Sequence, residues 1–144
     1  MFPGIIRIDR MQTNSSYAGF RKSERLCSKK VIDQVIDSGD SLYTLLFKAM
    51  FIVNPDSLTN QVQVAFSVPK RGFRLAVTRN LLKRRMREAY RKNKMKLYDK
   101  LSASGSSMAI IIVYRQNSVA DYLKIESAMS ELLEKLSVAG NKHQ

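Results

Sequence analysis

The stretch AVTRNLLKRRMREAYRKNK, residues 76–94, combines an apolar helical repeat with a dense run of cations. Its apolar residues recur at helical spacing, so a step of 100° per residue brings them into one arc of about 80°. This arc predicts a helix over residues 79–98 that buries one face in a core. The predicted buried residues are Leu82, Met86, Ala89 and Leu97, with Tyr90 at the edge of the arc.

The cations of this helix lie beside the apolar arc rather than around it. Arg79, Lys83, Arg87 and Arg91 are successive i,i+4 neighbours, and each like-charge pair destabilises an isolated helix by about 0.2–0.5 kcal/mol. Glu88 is the one acid in the stretch, whereas a merely solvated helix would mix in acids to remove this cost. An external polyanion is therefore expected, and phosphates suit arginine side chains well. The polar arc, here called the basic stripe, comprises Arg79, Asn80, Lys83, Arg84, Arg87, Arg91 and Lys94.

The charge of the whole chain is concentrated in the same region. The 144 residues carry a formal net charge of +13, yet residues 70–96 hold 12 of the 25 cations and one of the 12 acids. A local excess of this size indicates a nucleic-acid partner. The composition is that of a globular domain without a membrane span or signal peptide, and the single cysteine, Cys27, cannot form an internal disulfide. We therefore expect a cytoplasmic protein.

The remaining segments predict a single α+β domain with a sheet of about four strands in the order α-β-β-β-α-β-α. Strict alternation marks one strand, whose apolar face carries Val62 and Val64 and whose other face carries Gln63, Ala65 and Ser67. The run MAIIIVY predicts a central strand that is covered on both faces. The predicted helices are 29–38, 79–98 and 119–136, and the predicted strands are 45–53, 61–69, 75–77 and 108–114.

The domain boundaries follow from composition. Residues 1–19 lack a useful periodicity and are expected to form a flexible arm. Residues 20–138 are expected to form the RNA-binding domain, and residues 139–144 are expected to form a frayed tail.

The stretch FSVPKRGFRLAVTRNLLKRRMREAYRKNK, residues 66–94, resembles the bacterial ribonuclease P protein subunit. The family motif has Arg-Asn at the start of the helix, Lys-Arg beginning four residues after that Arg, and further Arg and Glu residues within two turns. One motif position departs from the family, because Leu81 stands where an arginine is usual. The matching residues are Arg79, Asn80, Lys83, Arg84, Arg87, Glu88 and Arg91.

The resemblance implies a fold, and it implies separate roles for the RNA subunit and the protein. The fold would be like that of ribosomal protein S5 domain 2, with a left-handed βαβ crossover. The RNA subunit would be the catalyst and would hold Mg²⁺, so that no residue of this chain would be catalytic. The protein would bind ribonuclease P RNA and precursor tRNA, without an obligatory protein partner or a membrane. The residues expected at the RNA are Lys70, Arg71, Arg74, Arg79, Asn80, Lys83, Arg84, Arg87, Arg91 and Lys94.

The 5′ leader of precursor tRNA would lie in a cleft between the first helix and the sheet. Two positions of that helix that are often Phe in the family are Ile32 and Ile36 here, which weakens base stacking. The residues expected to line the cleft are Ile32, Ile36, Gln63, Ala65 and Ser67.

The residues of the chain agree with an RNA partner that carries the chemistry. The only histidine, His143, lies in the predicted tail, and Cys27 lacks a partner for zinc binding or nucleophilic catalysis. The alternative function is a non-enzymatic RNA-binding module, such as a ribosomal or RNA-assembly protein of similar fold. A membrane-surface protein is a further class, although the apolar arc is better explained as core. DNA binding is disfavoured, since no helix-turn-helix is evident.

Overall fold

The computed structural model describes residues 20–55, 58 and 60–142, and the predicted arm, 1–19, lies outside them. No helix within these residues is both long and apolar enough to cross a membrane. A 3-10 turn, Lys22–Glu24, precedes the regular elements. These elements are α1 (Lys29–Ser38), β1 (Asp40–Tyr43), β2 (Phe47–Val53), β3 (Val62–Ser67), α2 (Ala76–Asn93), α3 (Met95–Ser104), β4 (Met108–Tyr114) and α4 (Tyr122–Lys142).

The four strands form one mixed sheet in the order β1-β2-β4-β3. The strand β2 pairs antiparallel with both β1 and β4, whereas β3 and β4 are parallel. The two parallel strands are joined through α2 and α3, as a parallel pair requires a crossover. The predicted α+β domain with a four-stranded sheet is confirmed.

Both faces of the sheet are covered, and β4 contributes to each. The larger core lies between one face and α2, α3 and α4, and it contains Ile110 and Ile112. The smaller core lies between the other face and α1, and it contains Ala109 and Ile111. The prediction of a central, doubly covered strand is therefore confirmed.

The helix α1 has the predicted bounds, and Ser28 caps its start. The hydroxyl group of Ser28 accepts a hydrogen bond from the backbone N–H of Val31, at 3.4 Å. Val31 and Val35 are buried against the sheet, as their spacing predicts.

The first hairpin of the sheet was only half predicted. The strand β1, DSLY, has no apolar alternation and lies mostly exposed at the sheet edge, which leaves little periodic signal. The predicted strand over 45–53 begins instead at Phe47, because Thr44 closes the hairpin. The N–H of Thr44 donates to the carbonyl of Phe47 at 2.8 Å, and the Thr44 hydroxyl accepts from the Phe47 N–H at 3.1 Å.

The predicted strand over residues 75–77 is wrong. Leu75 is the N-cap of α2, which begins at Ala76 rather than Arg79. Leu75 and Val77 are 69% and 79% exposed, so their apolar character does not reflect a packed strand. The predicted single helix over 79–98 is also interrupted, since α2 ends at Asn93 and α3 begins after Lys94.

The last helix extends farther than predicted. The helix α4 continues to Lys142, so residues 139–142 are helical instead of frayed. Gly140 is buried, and a Cβ atom at this position would lie only 2.7 Å from Leu101 Cδ2. The end of α4 therefore packs closely on α3, although the composition of this segment predicted a frayed tail.

Candidate nucleic-acid interface

The helix α2 buries its apolar face as predicted. Leu82, Met86, Ala89 and Tyr90 are each fully buried in the larger core. Asn80, Arg84 and Arg87 are exposed, while Arg79, Lys83 and Arg91 are partly exposed. The basic stripe thus lies along the boundary between the core and the solvent, apart from Lys94.

Several cations of α2 hold the fold together. The Arg79 guanidinium donates to the carbonyls of Phe73 and Arg74 at 2.7 and 2.9 Å, which ties the preceding loop to the helix. Arg85, which is outside the stripe, donates to the carbonyl of Ala120 at 2.7 Å. Arg91 forms a two-pronged ion pair with Glu88, with a shortest distance of 2.5 Å.

Lys94 does not lie on the basic stripe. It is only 1% exposed, and its ammonium group donates to the Glu24 carboxylate at 2.6 Å. The hydroxyl of Tyr98 donates to the same carboxylate oxygen at 2.6 Å. Burial, reinforced by the bond to Glu24, raises the pKa of the Tyr98 hydroxyl, which therefore remains a donor. We remove Lys94 from the residues expected to contact RNA.

The segment that covers Lys94, residues 20–26, follows the free edge of β3. The N–H of Leu26 donates to the carbonyl of Val64 at 3.0 Å. Phe20 packs edge-to-face against Phe66 and Tyr90, with ring centroids 5.6 and 5.7 Å apart. The segment is therefore fixed against both β3 and α2, and it brings the exposed Arg25 close to α2.

Arg25 joins α2 to form an open cationic cleft of about 510 Å³. Partial burial, followed by repulsion from Arg25 and Arg84, lowers the pKa of the Arg87 guanidinium. The guanidinium remains protonated at neutral pH, so the cleft concentrates positive charge. The sequence did not reveal Arg25 as part of this site, since it precedes α1 by four residues and belongs to no helical pattern. The lining residues are Phe20, Arg25, Arg84, Arg87, Glu88 and Arg91.

The loop before α2 extends the positive surface. Lys70, Arg71 and Arg74 are all exposed, whereas Phe73 between them is buried and anchors the loop in the larger core. The Phe73 N–H closes a turn on the carbonyl of Lys70 at 3.2 Å. This turn is joined to the start of α2 by Arg79, so the predicted loop cations and the basic stripe form one surface.

The predicted leader cleft lies on the sheet face that carries α1. Ile32 and Ala65 both pack against the smaller core, so the structure brings the helix and β3 together there. Ile36 is 56% exposed. Gln63 has one amide donor engaged, with the carbonyl of Ser23 at 2.9 Å, and Ser67 is partly exposed at the end of β3.

Candidate catalytic and metal-binding groups are few. Among the residues that the structure describes, no group of three or more His, Cys, Asp or Glu side chains is placed to hold a metal ion. Cys27 is an exposed free thiol. His143 lies outside the described residues.

Known proteins resemble the chain in both sequence and fold. The sequence model of the family described as Ribonuclease P matches residues 20–137. A ribonuclease P protein component from Porphyromonas gingivalis is 31% identical over 129 residues, which cover 90% of this chain and 93% of the relative. The RNase P proteins of Staphylococcus aureus and Thermotoga maritima share the fold. Each has a TM-score of 0.62, with 20% and 22% identity and coverage of 80% and 78% of this chain and 96% of each neighbour. The chain therefore belongs to the ribonuclease P protein family, the protein component of a tRNA-processing ribonucleoprotein enzyme.

Proposed function

We propose that the exposed cations of α2, its preceding loop and Arg25 bind the backbone of ribonuclease P RNA. The sheet face beside α1 binds the 5′ leader of precursor tRNA. The protein thereby positions the substrate for endonucleolytic removal of the leader, which gives the mature 5′ end of the tRNA. The RNA subunit carries out the chemistry, and this chain supplies binding and orientation in the cytoplasm.

The cationic cleft is the observation that supports RNA binding most directly. Lys83, Arg84 and Arg87 have no carboxylate within ion-pair distance among residues 20–55, 58 and 60–142. Such a group of cations on one side of a helix is destabilising unless an anion neutralises it. Phosphates at the spacing of a nucleic-acid backbone provide that anion, and release of their counterions favours binding.

The magnesium ions of the reaction belong to the RNA in this proposal. The residues that the structure describes offer cations at the proposed interface rather than a cluster of carboxylates. Hard divalent cations prefer several oxygen ligands, which RNA phosphates provide. The protein residues would reduce the repulsion between phosphates of the RNA and of the substrate.

A cleavage assay with the cognate RNA subunit tests the proposal. Precursor tRNA is incubated with ribonuclease P RNA at low Mg²⁺, with and without the purified protein. We expect the protein to increase cleavage at the mature 5′ end. RNA binding without any stimulation of cleavage would favour a non-enzymatic RNA-binding module instead.

A matched pair of variants tests the surface itself. Arg84→Gln removes a charge from the cationic cleft, whereas Lys124→Gln removes an exposed charge from α4. We expect only Arg84→Gln to decrease the slope of log affinity against log salt, by about 0.7–0.9 for each lost phosphate contact. Equal slopes for the two variants would contradict the assigned surface.

A further inference from the structure

Tyr43, at the end of β1, is the one exposed aromatic residue in the described part of the chain. It is 49% exposed, whereas the other aromatic side chains there are buried or partly buried. Its neighbour Leu42 packs against the larger core. Because successive side chains of a strand point to opposite faces, Tyr43 lies on the same sheet face as α1.

The strand register places Tyr43 in a lateral row that crosses the entire sheet. Tyr43 is opposite Lys48 of β2, Lys48 is opposite Val113 of β4, and Val113 is opposite Ser67 of β3. Paired residues of neighbouring strands share a face, and the strands are about 4.8 Å apart. The row therefore begins at Ser67, in the proposed leader cleft, and ends about 14 Å away at Tyr43.

Two cations lie close to the Tyr43 ring. The guanidinium carbon of Arg115 lies 4.8 Å from the ring centroid, and the Lys48 ammonium lies 5.8 Å from it. Arg115 is held in place because it donates to the Thr44 carbonyl at 2.5 Å. Neither cation has a carboxylate partner in the described residues. An aromatic ring beside cations without acidic partners is suited to a nucleotide, whose base stacks and whose phosphate is anionic.

We propose that Tyr43 is a stacking platform for a base of the 5′ leader, with Lys48 and Arg115 facing the adjoining phosphates. This inference rests on the proposed binding of the leader along the α1 face of the sheet. It extends the cleft from β3 to the opposite sheet edge. It also provides the aromatic surface that Ile32 and Ile36 do not supply on α1.

The test compares Tyr43→Ala with Tyr43→Phe in the holoenzyme reconstituted with ribonuclease P RNA. Affinity is measured for mature tRNA and for precursor tRNAs whose leaders increase in length one nucleotide at a time. Each leader carries the fluorescent base 2-aminopurine at one position, because stacking quenches its emission. Leu123→Ala serves as a control, since Leu123 is 74% exposed on α4, away from the row.

We expect Tyr43→Ala to weaken binding of long-leader precursor about 5- to 150-fold, the range for the loss of one stacked base. Binding of mature tRNA and of the shortest leaders should be unchanged, and KM should rise without a fall in kcat. Quenching of 2-aminopurine at one leader position should disappear in Tyr43→Ala. Tyr43→Phe, which keeps the ring, should retain both affinity and quenching, as should Leu123→Ala.

The outcomes separate this inference from the proposed function. If the unsubstituted protein binds precursor tRNA more tightly than mature tRNA but Tyr43→Ala does so equally well, the role of Tyr43 is wrong and leader binding stands. If the unsubstituted protein does not distinguish the two RNAs, leader binding itself is wrong. A loss of affinity for mature tRNA as well, or the same loss in Tyr43→Phe, would also overturn the stacking role.

Discussion

The buried pair of Lys94 and Glu24 makes a prediction that separates structural from RNA-binding cations. Lys94→Met removes the ammonium group and retains an unbranched side chain of similar length. The Glu24 carboxylate would then remain buried, with its side chain only 6% exposed. Removal of one partner from a buried ion pair typically costs about 3–5 kcal/mol, because the other charge is left without compensation.

The remaining hydrogen bonds place the expected loss at the lower end of this range. Glu24 would keep two donors, the Tyr98 hydroxyl at 2.6 Å and the Arg21 N–H at 2.7 Å. We therefore expect Lys94→Met to decrease the free energy of unfolding by about 3 kcal/mol. This is a large part of the roughly 5–15 kcal/mol that a domain of this size has in total.

Urea unfolding of Lys94→Met is best compared with that of Lys83→Met, the same substitution on the basic stripe, eleven residues or about three helical turns earlier. Lys83→Met should change stability by no more than about 0.5 kcal/mol, since Lys83 has no buried partner among the described residues. The RNA affinities of the folded proteins should show the opposite pattern. Only Lys83→Met should decrease the salt slope, by about 0.7–0.9.

A second substitution keeps the test decisive if Lys94→Met is poorly folded. The double variant Glu24→Gln/Lys94→Met removes both charges, so it should be less destabilised than the sum of the single variants, by about 0.5–3 kcal/mol. Additive losses would mean that the two groups do not interact. Unchanged stability together with a lower salt slope for Lys94→Met would refute the burial of Lys94 and return it to the interface.

Three further predictions concern packing and the loop before α2. Leu82→Ala should decrease the free energy of unfolding by about 2–5 kcal/mol in urea titrations, because Leu82 is fully buried. Gly39→Ala should destabilise by at least about 1–3 kcal/mol, since its Cβ would lie 2.4 Å from the carbonyl oxygen of Val35 and 2.8 Å from that of Phe51. Ordinary stability in either variant would contradict the observed packing. Arg79→Ala should weaken RNA binding and should also increase proteolysis of the loop over residues 70–75, because Arg79 anchors this loop by hydrogen bonds to two of its carbonyl groups. An unchanged pattern of protease cleavage would mean that Arg79 acts in RNA binding alone.

The elements that were predicted correctly have strong periodicity over their full length. The helix α1 buries Val31 and Val35, which are four residues apart, and the run of β4 is apolar throughout, so local pattern and tertiary burial agree at these positions. The strand β1 was missed because it lies at a sheet edge, where burial does not impose alternation. Leu75 and Val77 were wrongly predicted to form a strand, because their apolar side chains indicated burial whereas both are exposed.

The candidate site was predictable where one helix supplied it and not where several segments meet. Helical geometry alone relates Lys83, Arg84 and Arg87, so the basic stripe follows from the sequence. Arg25 and Lys94 could not be assigned in this way, because their roles depend on the path of residues 20–26 along β3 and α2. Glu24 pairs with the buried Lys94, and the next residue, Arg25, adds a cation to the cleft.

The partition of charge on α2 explains why so many cations can share one helix. Arg79, Arg85 and Arg91 each donate to carbonyl or carboxylate oxygens within the domain, and Lys94 is neutralised by Glu24. These internal bonds remove part of the repulsion before any RNA is bound, so the free protein can fold. Repulsion remains at the cleft, where burial and then the charges of Arg25 and Arg84 lower the pKa of the Arg87 guanidinium. Phosphates placed there would relieve that repulsion, so RNA binding should stabilise the folded domain in proportion to the cleft cations engaged.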